Sequence, residues 1–273
     1  MAPRCAARDG ARWPDRAKGM RGHVANRQRQ CSGTAPRAGR GVAVTDGAGD
    51  AGELLEMRDV APGLWLWRVR HPGWQPGVDW EPVVSSVCVE SQGEVGLIDP
   101  IAPSVGAEAF WARLDARPPT FVVVLKPDHV RDVDLFARRY GVPAFGPDLF
   151  YRGEAPETEL EPIHPGDDLP GGLIVQTDGR IHHDTPLWLP GQRALVFADS
   201  LTERGGQLRV WSTPWDEEGP RRALGQLLRL PFRHVLISHG EPVHDRRAYE
   251  QALELPPWAP TLELPEDAEL DEG

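Results

Sequence analysis

Acidic and imidazole side chains follow three apolar, β-type segments of this sequence. Asp128 and His129 end the stretch F-V-V-V-L-K-P-D-H, Asp199 follows A-L-V-F-A, and His239 follows H-V-L-I-S. In α/β proteins, ligands bind and reactions take place at the carboxyl ends of the strands. These four side chains are therefore the first candidates for chemistry, and the elements around them must bring them together.

The sequence around these side chains indicates strands first and alternating strands and helices later. Predicted strands cover residues 64–70, 83–90, 95–98, 121–125, 142–145, 173–177, 187–189, 194–197 and 234–237. Predicted helices cover residues 104–116, 132–140, 217–230 and 245–253. We expect Ser104 to cap the first helix and Gly141 to end the second. Residues 148–170 are polar and rich in Pro and Gly, which predicts an insertion loop that can cover a site.

The patterned sequence lies between two tails of unlike charge. Residues 1–50 contain ten basic and four acidic side chains in an aperiodic Arg/Gly/Ala-rich stretch, which is typical of a disordered extension. The pattern begins at Met57, so we expect residues 1–56 to be such an extension or an artefact of start-codon choice. Residues 57–255 then form one domain, and residues 256–273 form an acidic tail.

Composition and charge exclude several classes of protein. The net formal charge is −11 and the basic residues concentrate in the first 50, so we do not expect the acidic body to bind nucleic acid. No apolar run approaches the ~18 residues that span a bilayer, and no secretory signal is visible. We therefore expect a cytoplasmic protein that does not bind membranes. Cys5, Cys31 and Cys88 form no C-x-x-C pair, which argues against a disulfide framework or a cysteine metal site.

Taken in order, four segments resemble the metallo-β-lactamase superfamily. They are the strand end at Asp128-His129, the stretch G-L-I-V-Q-T-D-G-R-I-H-H-D-T-P, the segment that ends at Asp199, and H-V-L-I-S-H-G with His239. The P-G-x-W opening and the strand end I-D-P fit the same superfamily, and the resemblance covers about residues 60–250. It implies an α/β fold of the superfamily's type, a four-layer αβ/βα sandwich in which two sheets pack face to face with helices outside.

The metal-binding motifs of that superfamily are only partly present. Its members bind two metal ions through T-H-x-H-x-D-H, G-H-T-P-G-H, G-D and G-H motifs. When Asp128-His129 is set on D-H, no H-x-H pair precedes it, because Leu125, Lys126 and Pro127 stand directly upstream. When the second segment is counted back from the strand that follows, Arg180 occupies the place of a ligand histidine. The resemblance therefore implies that the first metal site is lost.

The second metal site of the superfamily has a counterpart here at every ligand position. These positions are Asp128, His129, the bridging-type Asp199 and the late His239. Two imidazoles and two carboxylates suit Zn²⁺, and Fe or Mn accept the same donors, so we expect one ion at most. The resemblance implies a hydrolase that attacks an ester, thioester or lactone of a small molecule with metal-activated water. Asp128, Arg180 and Lys126 are the candidate catalytic residues, the two cations by orienting the substrate.

The same sequence also allows a protein without catalytic activity. Loss of the H-x-H pair favours a binding or scaffold protein of the same fold that keeps remnants of the ligands. In that case Asp128 can be the N-cap of the next helix, and His129 a solvated or capping residue.

Further residues have two interpretations each. His182 and His183 either lie in a loop or replace a lost metal ligand. A group of tryptophans either packs in the core or forms the wall of an apolar substrate pocket. These tryptophans are Trp65, Trp67, Trp74 and Trp80.

Overall fold

Two β-sheets lie at the centre of this computed structural model, which describes residues 52–78, 80–150, 155–180, 184–212 and 218–259. The first sheet contains, in spatial order, β1 (Leu54–Ala61), β2 (Leu64–Arg70), β3 (Val83–Ser91), β4 (Glu94–Ile98), β5 (Phe121–Val123), β6 (Ala144–Gly146) and β7 (Leu160–Pro162). Strands β1 to β4 pair antiparallel, whereas β4 to β7 pair parallel. A meander thus precedes the crossover connections, as the sequence predicts.

The second sheet contains β8 (Asp168–Leu169), β9 (Leu173–Val175), β10 (Leu187–Leu189), β11 (Ala194–Val196) and β14 (His234–Leu236), in the spatial order β14-β11-β10-β9-β8. Between β11 and β14 the chain forms a separate hairpin of β12 (Leu201–Arg204) and β13 (Gln207–Val210). Strands β11 and β14 are parallel neighbours. Their carboxyl ends, which lead to Asp199 and His239, therefore lie side by side.

Helices cover the outer face of each sheet. They are α1 (Glu108–Ala116), α2 (Val133–Tyr140), α3 (Glu218–Gln226) and α4 (Arg246–Glu254). Phe110 of α1 and Phe136 of α2 pack on the first sheet, and Leu224 of α3 and Tyr249 of α4 pack on the second. Within the described ranges, no helix has the length and apolar composition needed to cross a membrane.

Alternation of side chains along the strands buries both faces of each sheet. In β2, Leu64 and Leu66 pack between the sheets, while Trp65 and Trp67 face the helices. In β11, Leu195 belongs to the cluster under α3 and α4, whereas its two neighbours face the first sheet. The layers are therefore helix, sheet, sheet and helix, which confirms the predicted sandwich. Trp65 and Trp67 belong to the core, at 2% and 0% exposure.

The structure differs locally from the elements predicted by sequence. Helix α1 begins at Glu108 rather than at Ser104, because residues 104 and 105 pair with the chain ahead of β1. The Ser104 N–H donates to the Gly52 carbonyl (2.8 Å), and the Val105 carbonyl accepts the Leu54 N–H (3.0 Å). Strand β1 begins at Leu54, ahead of the predicted domain start at Met57. Strands β1, β7, β8, β12 and β13 are absent from the prediction. For the β12–β13 hairpin a signal was present, because Q-L-R-V alternates polar and apolar residues after the turn pair Gly205-Gly206.

Helix α2 fixes the end of the loop that carries the first candidate residues. It begins after Asp132 and ends at Gly141, whose φ of 65° is the left-handed conformation expected at that position. The Asp132 carboxylate accepts the Ala102 N–H (2.7 Å) and makes no cap to its own helix. Because α2 starts after Asp132, the alternative in which Asp128 caps it is wrong.

We predict that Gly96→Ala destabilises the protein. Gly96 in β4 pairs with Phe121, and a Cβ on Gly96 would lie 2.4 Å from the Phe121 ring, which is itself buried between the sheets. Overpacking of this kind lowers the free energy of unfolding by about 1–3 kcal/mol, which urea denaturation measures. The control is Gly225→Ala in α3, where a Cβ meets no atom within 4 Å and we expect a gain of up to about 1 kcal/mol. Equal losses in both variants would contradict the steric argument.

Candidate metal centre

The loop after β5 holds His129 against the end of β4. It turns at Lys126, whose carbonyl accepts the His129 N–H (2.9 Å). Asp99, the residue after β4, accepts the Leu125 N–H on Oδ1 (2.8 Å) and the Nδ1–H of His129 on Oδ2 (2.8 Å). The carboxylate therefore fixes the orientation of the ring and the proton on Nδ1, and Nε2 is left for a ligand. At 6% exposure, His129 is not the solvated residue of the alternative interpretation.

The turn after β11 places Asp199 opposite His129. Its backbone is held by the buried carboxylate of Asp184, which accepts the N–H groups of Asp199 (3.1 Å) and Ser200 (2.8 Å). The Ser200 hydroxyl donates to the same carboxylate. One buried acid thus sets the direction in which the Asp199 side chain leaves the sheet.

His239 follows β14 at the same edge of the second sheet. Its carbonyl accepts the N–H of Glu203 in β12 (2.9 Å). Gly240 permits this close approach, because its φ is 132° and a Cβ there would lie 2.4 Å from the Cβ of Glu203. The His-Gly pair therefore joins the β12–β13 hairpin to the end of β14.

The side chains of His129, Asp199 and His239 converge on one point. Asp199 Oδ1 lies 3.4 Å from Nε2 of His129 and 3.4 Å from Nε2 of His239. This oxygen is buried and has no hydrogen-bond partner among the described residues. Ligand atoms of one tetrahedral zinc ion, each about 2.1 Å from it, are about 3.4 Å apart. Both distances match this spacing, and the three ligand atoms lie within 4.8 Å of one another, so the side chains suit a single metal ion. No other group of three or more His, Cys, Asp or Glu residues in the described ranges is this compact.

The protonation of the two imidazoles differs. Burial lowers the pKa of His239 to about 3, so its ring is neutral at pH 7. Burial and Arg131 also disfavour a charge on His129, but the carboxylates of Asp199 and Asp99 outweigh them and raise its pKa to about 9. Burial opposes the charge of Asp199 as well, yet His129 and Lys126 hold the pKa of its carboxyl well below the usual value. A metal ion on Nε2 of His129 would therefore displace a proton.

Lys126 provides a second cation at the same place. Its ammonium donates to Asp199 Oδ2 (2.6 Å) and to Asp128 Oδ2 (2.7 Å), although its side chain is only 8% exposed. Burial opposes the charged form, but the two carboxylates outweigh burial and raise the pKa of Lys126. Asp128, one of the four predicted ligands, therefore lies against an ammonium and outside the group of three that converges.

Arg131 connects the ends of the two sheets behind this cluster. Its guanidinium donates to the Asp99 carbonyl (2.8 Å) and the Ser85 carbonyl (3.1 Å) of the first sheet. It also donates to the Ser238 hydroxyl (2.7 Å) at the end of β14. Arg131 and Asp99 both have left-handed backbones, with φ of 46° and 45°. Such conformations cost energy in residues other than glycine and persist where surrounding contacts impose them.

Arg180 lies beside the cluster rather than in it. Its guanidinium pairs with the buried Asp178 carboxylate (2.7 Å) and stacks over the Trp211 ring (4.9 Å). It lines a neighbouring cavity of about 290 Å³, together with Asp184. His182 and His183, the predicted replacement ligands, lie outside the described residues.

A cavity of about 350 Å³ leads from the surface to the candidate metal centre. Lys126, Asp128 and the three converging side chains line its inner part. Trp80 lies on its wall and contacts the His239 ring edge to face, with centroids 5.5 Å apart. Trp80 thus has the predicted wall position, while Trp74 instead donates its indole N–H to the Trp80 carbonyl (2.9 Å).

Two residues that organise the centre lie outside the sequence prediction. Asp99 was visible only as the end of the I-D-P strand, and Asp184 only as a polar residue in a loop. Both are buried carboxylates that hold a ligand residue in place. An acid directly after an apolar strand was the available signal for Asp99. For Asp184 the sequence contains no such signal.

Neither a protein-family model nor a curated protein sequence matches this chain. Solved structures do match. The metallo-β-lactamase from Pontibacter korlensis aligns over 75% of this chain and 100% of its own, with a TM-score of 0.55 and 18% identity. DIM-1 metallo-β-lactamase aligns over 76% and 99%, with a TM-score of 0.58 and 13% identity. FIM-1 from Pseudomonas aeruginosa, in its mono-zinc form, aligns over 74% and 95%, with a TM-score of 0.53 and 16% identity.

Identities this low show the fold alone. Together with the four layers described above, they establish that this chain has the metallo-β-lactamase fold, an α/β sandwich, as the order of its segments predicts. A substrate does not follow from the fold, since one fold supports many reactions.

We predict that Asp184→Asn stabilises the protein more at pH 8 than at pH 5. Burial and the nearby Asp178 carboxylate raise the pKa of Asp184 to about 7. In the unfolded state Asp184 loses its proton near pH 4, whereas in the folded state it keeps the proton until about pH 7. The free energy of unfolding of the wild type therefore falls as the pH rises from about 4 to 7. Asparagine retains an oxygen acceptor for the backbone N–H groups and has no charge to lose. Thermal unfolding of chelator-treated protein at both pH values measures the effect, and a constant difference would contradict the raised pKa.

Proposed function

We propose that this protein is a metal-dependent hydrolase that holds one divalent ion on His129, Asp199 and His239. The observation that carries the proposal is the convergence of these three side chains on a buried carboxylate oxygen without a hydrogen-bond partner in the described structure. The hydrogen bond from Nδ1 of His129 to Asp99 supports the proposal, because metal-ligating histidines usually donate their other N–H to a carboxylate or carbonyl. Zn²⁺ suits these donors, and Fe or Mn accept them too.

We propose three protein ligands rather than the four that the superfamily's second site implies. The Asp128 carboxylate is paired with the Lys126 ammonium at 2.7 Å. Three protein ligands and one open position are the usual arrangement of a catalytic zinc site, whereas four protein ligands are typical of a structural one. The mono-zinc form of FIM-1 supports the idea that this fold can hold a single ion.

The residues around the ion have distinct parts in this proposal. When bound, the ion would acidify a water molecule and polarise a carbonyl group. Lys126 has three N–H donors, and two of them are used by Asp128 and Asp199. The third can stabilise negative charge on a substrate oxygen, and Asp128 keeps the ammonium in place. We assign this role to Lys126 rather than to Arg180, which is paired with Asp178 outside the main cavity.

The substrate that we propose is a small-molecule ester, thioester or lactone in the cytoplasm. The cavity of about 350 Å³ is in the lower part of the range for small-molecule sites. A carbonyl of any of these three classes can reach the inner residues of such a cavity, so the geometry does not choose among them.

One observation favours a second function, a binding protein without catalytic activity. The cluster contains three carboxylates, of Asp99, Asp128 and Asp199. The Lys126 ammonium and a protonated His129 compensate charge there without any metal ion, since the pKa of His129 is raised to about 9. A cluster that is stable in this way can persist as the floor of a ligand-binding cavity.

Metal content separates the two functions. We predict that protein purified without chelator or affinity metal binds one equivalent of Zn, Fe or Mn, measured by elemental analysis. His239→Ala removes a ligand, so it should lose the ion and the rise in melting temperature that the ion gives to the wild type. His164→Ala is the control, because that histidine is exposed and does not line the main cavity. It should retain the ion.

Two results would contradict a hydrolase with a single metal ion. Absence of metal, even after reconstitution, would favour the binding protein. Two equivalents of metal would show that the Lys126 ammonium does not exclude a second ion.

We predict that Lys126→Met destabilises the metal-free protein by about 3–5 kcal/mol, the usual cost of removing one partner of a buried ion pair. Zn²⁺ should restore more stability to this variant than to the wild type, because it supplies the cation that Asp199 has lost. Denaturant unfolding with and without Zn²⁺ measures both effects. The control is Arg138→Met, whose ion pair with Glu157 is exposed and should contribute at most about 1 kcal/mol. A loss of stability no greater than that of the control would contradict the conclusion that Lys126 balances the buried charge of Asp199.

A further inference from the structure

His71 is a histidine of the main cavity that does not belong to the candidate metal centre. It follows β2 directly and is half-buried among the residues that line the cavity. Two backbone hydrogen bonds hold it there. The His71 N–H donates to the Pro82 carbonyl (2.8 Å), and the His71 carbonyl accepts the Trp74 N–H (3.1 Å). The imidazole is therefore carried by a backbone that is fixed on both sides of its Cα.

The His71 ring is held in one tautomer. Its Nδ1 lies 3.0 Å from the backbone N–H of Gly73 and accepts it, so this nitrogen cannot itself carry a proton. The proton of the neutral ring is therefore on Nε2. Gly73 permits the contact, because a Cβ there would lie 3.2 Å from Cε1 of the ring and push it away. The polar group that this ring can offer to a ligand is thus the Nε2–H.

The surroundings of His71 connect it to the candidate metal centre and keep it uncharged. Its ring contacts Trp80 edge to face, with centroids 4.9 Å apart, and Trp80 contacts His239 at 5.5 Å. Burial, together with the charges of Arg131 and His129, lowers the pKa of His71 to about 4, so the ring is neutral at pH 7. An N–H donor without charge is therefore present in the cavity at neutral pH.

We propose that His71 donates a hydrogen bond from Nε2 to an oxygen of the substrate in the main cavity. This assignment rests on the proposed function and adds an uncharged donor to the ammonium of Lys126. Such a donor suits an oxygen of an uncharged ester, thioester or lactone, while Trp80 beside it offers an apolar surface to the rest of the molecule. A site that hydrogen-bonds a substrate oxygen also discriminates against analogues that lack it.

The first measurement is the tautomer of His71, by two-dimensional proton–nitrogen NMR of the imidazole rings in chelator-treated full-length protein at pH 7. The signals that disappear in His71→Leu identify the ring. We expect a neutral ring with its proton on Nε2. A ring with its proton on Nδ1, or with protons on both nitrogens, would overturn the inference whether or not the protein binds metal.

The second measurement tests the donor by substitution. Zinc-loaded protein is assayed with 4-nitrophenyl acetate, S-phenyl thioacetate and dihydrocoumarin, which are an ester, a thioester and a lactone. His71→Leu removes the donor and should lower kcat/KM about tenfold for the probes that the wild type hydrolyses. His71→Gln places an amide N–H near the position of Nε2 and should keep kcat/KM within about threefold of the wild type.

His71→Asn is the matched control for the glutamine variant. It differs from His71→Gln by one methylene, and its amide lies near the position of Nδ1 instead, so it should lose about as much activity as His71→Leu. His164→Leu replaces an exposed histidine that does not line the main cavity and should leave kcat/KM unchanged. Circular dichroism establishes that each variant is folded before its kinetics are compared.

The outcomes separate this inference from the proposed hydrolase. An unchanged kcat/KM in His71→Leu would overturn the inference and leave the hydrolase in place. Equal losses in the leucine, asparagine and glutamine variants would assign His71 to packing against Trp80, which would overturn it as well. A wild type that takes up zinc but hydrolyses none of the probes would contradict the hydrolase, and the role assigned to His71 would fail with it.

Discussion

The ion pair between Lys126 and Asp199 is the interaction on which the site depends. Lys126 follows β5 of the first sheet and Asp199 follows β11 of the second, so the pair joins the two sheets at their carboxyl edge. A buried carboxylate without a cation costs several kcal/mol, and the sheets must therefore meet with these strand ends aligned. Arg131 reinforces the junction through the Asp99 carbonyl and the Ser238 hydroxyl. Apolar packing holds the sheets together, and at this edge they are also joined by these charged contacts and by a hydrogen bond from the Ser85 N–H to the Ser238 carbonyl (2.9 Å).

The same charges set the conditions for metal binding. His129 has a raised pKa because Asp199 and Asp99 face it, so a proton and a metal ion compete for its Nε2. His239 has a lowered pKa and offers a neutral nitrogen without such competition. In the metal-free protein, the Lys126 ammonium and the second proton of His129 balance negative charge of the carboxylates in the cluster. An ion bound there would displace this proton and add positive charge to the centre.

Much of the fold could be predicted because the spacing and length of apolar runs indicate which segments are buried strands and which are helices. Strand β2, from Leu64 to Arg70, begins with the continuous apolar run L-W-L-W directly after Pro62-Gly63, which is typical of a strand buried on both faces. The β12–β13 hairpin was not predicted, because its strands have only four residues each, although Gly205-Gly206 followed by the alternating Q-L-R-V is a hairpin signal. That hairpin supplies Thr202 and Arg204 to the main cavity.

The sequence by itself determined the layered α/β architecture and the order of the strand ends at Asp128-His129, Asp199 and His239. These follow from hydrophobic period and from residue order, which are local properties. Only the tertiary structure decided which polar groups meet. It paired Lys126 with Asp199, set Asp99 behind His129 and joined Arg131 to Ser238. The physical reason is that a buried charge takes the partner that the packed sheets bring within about 3 Å, and that distance depends on strands far apart in the chain.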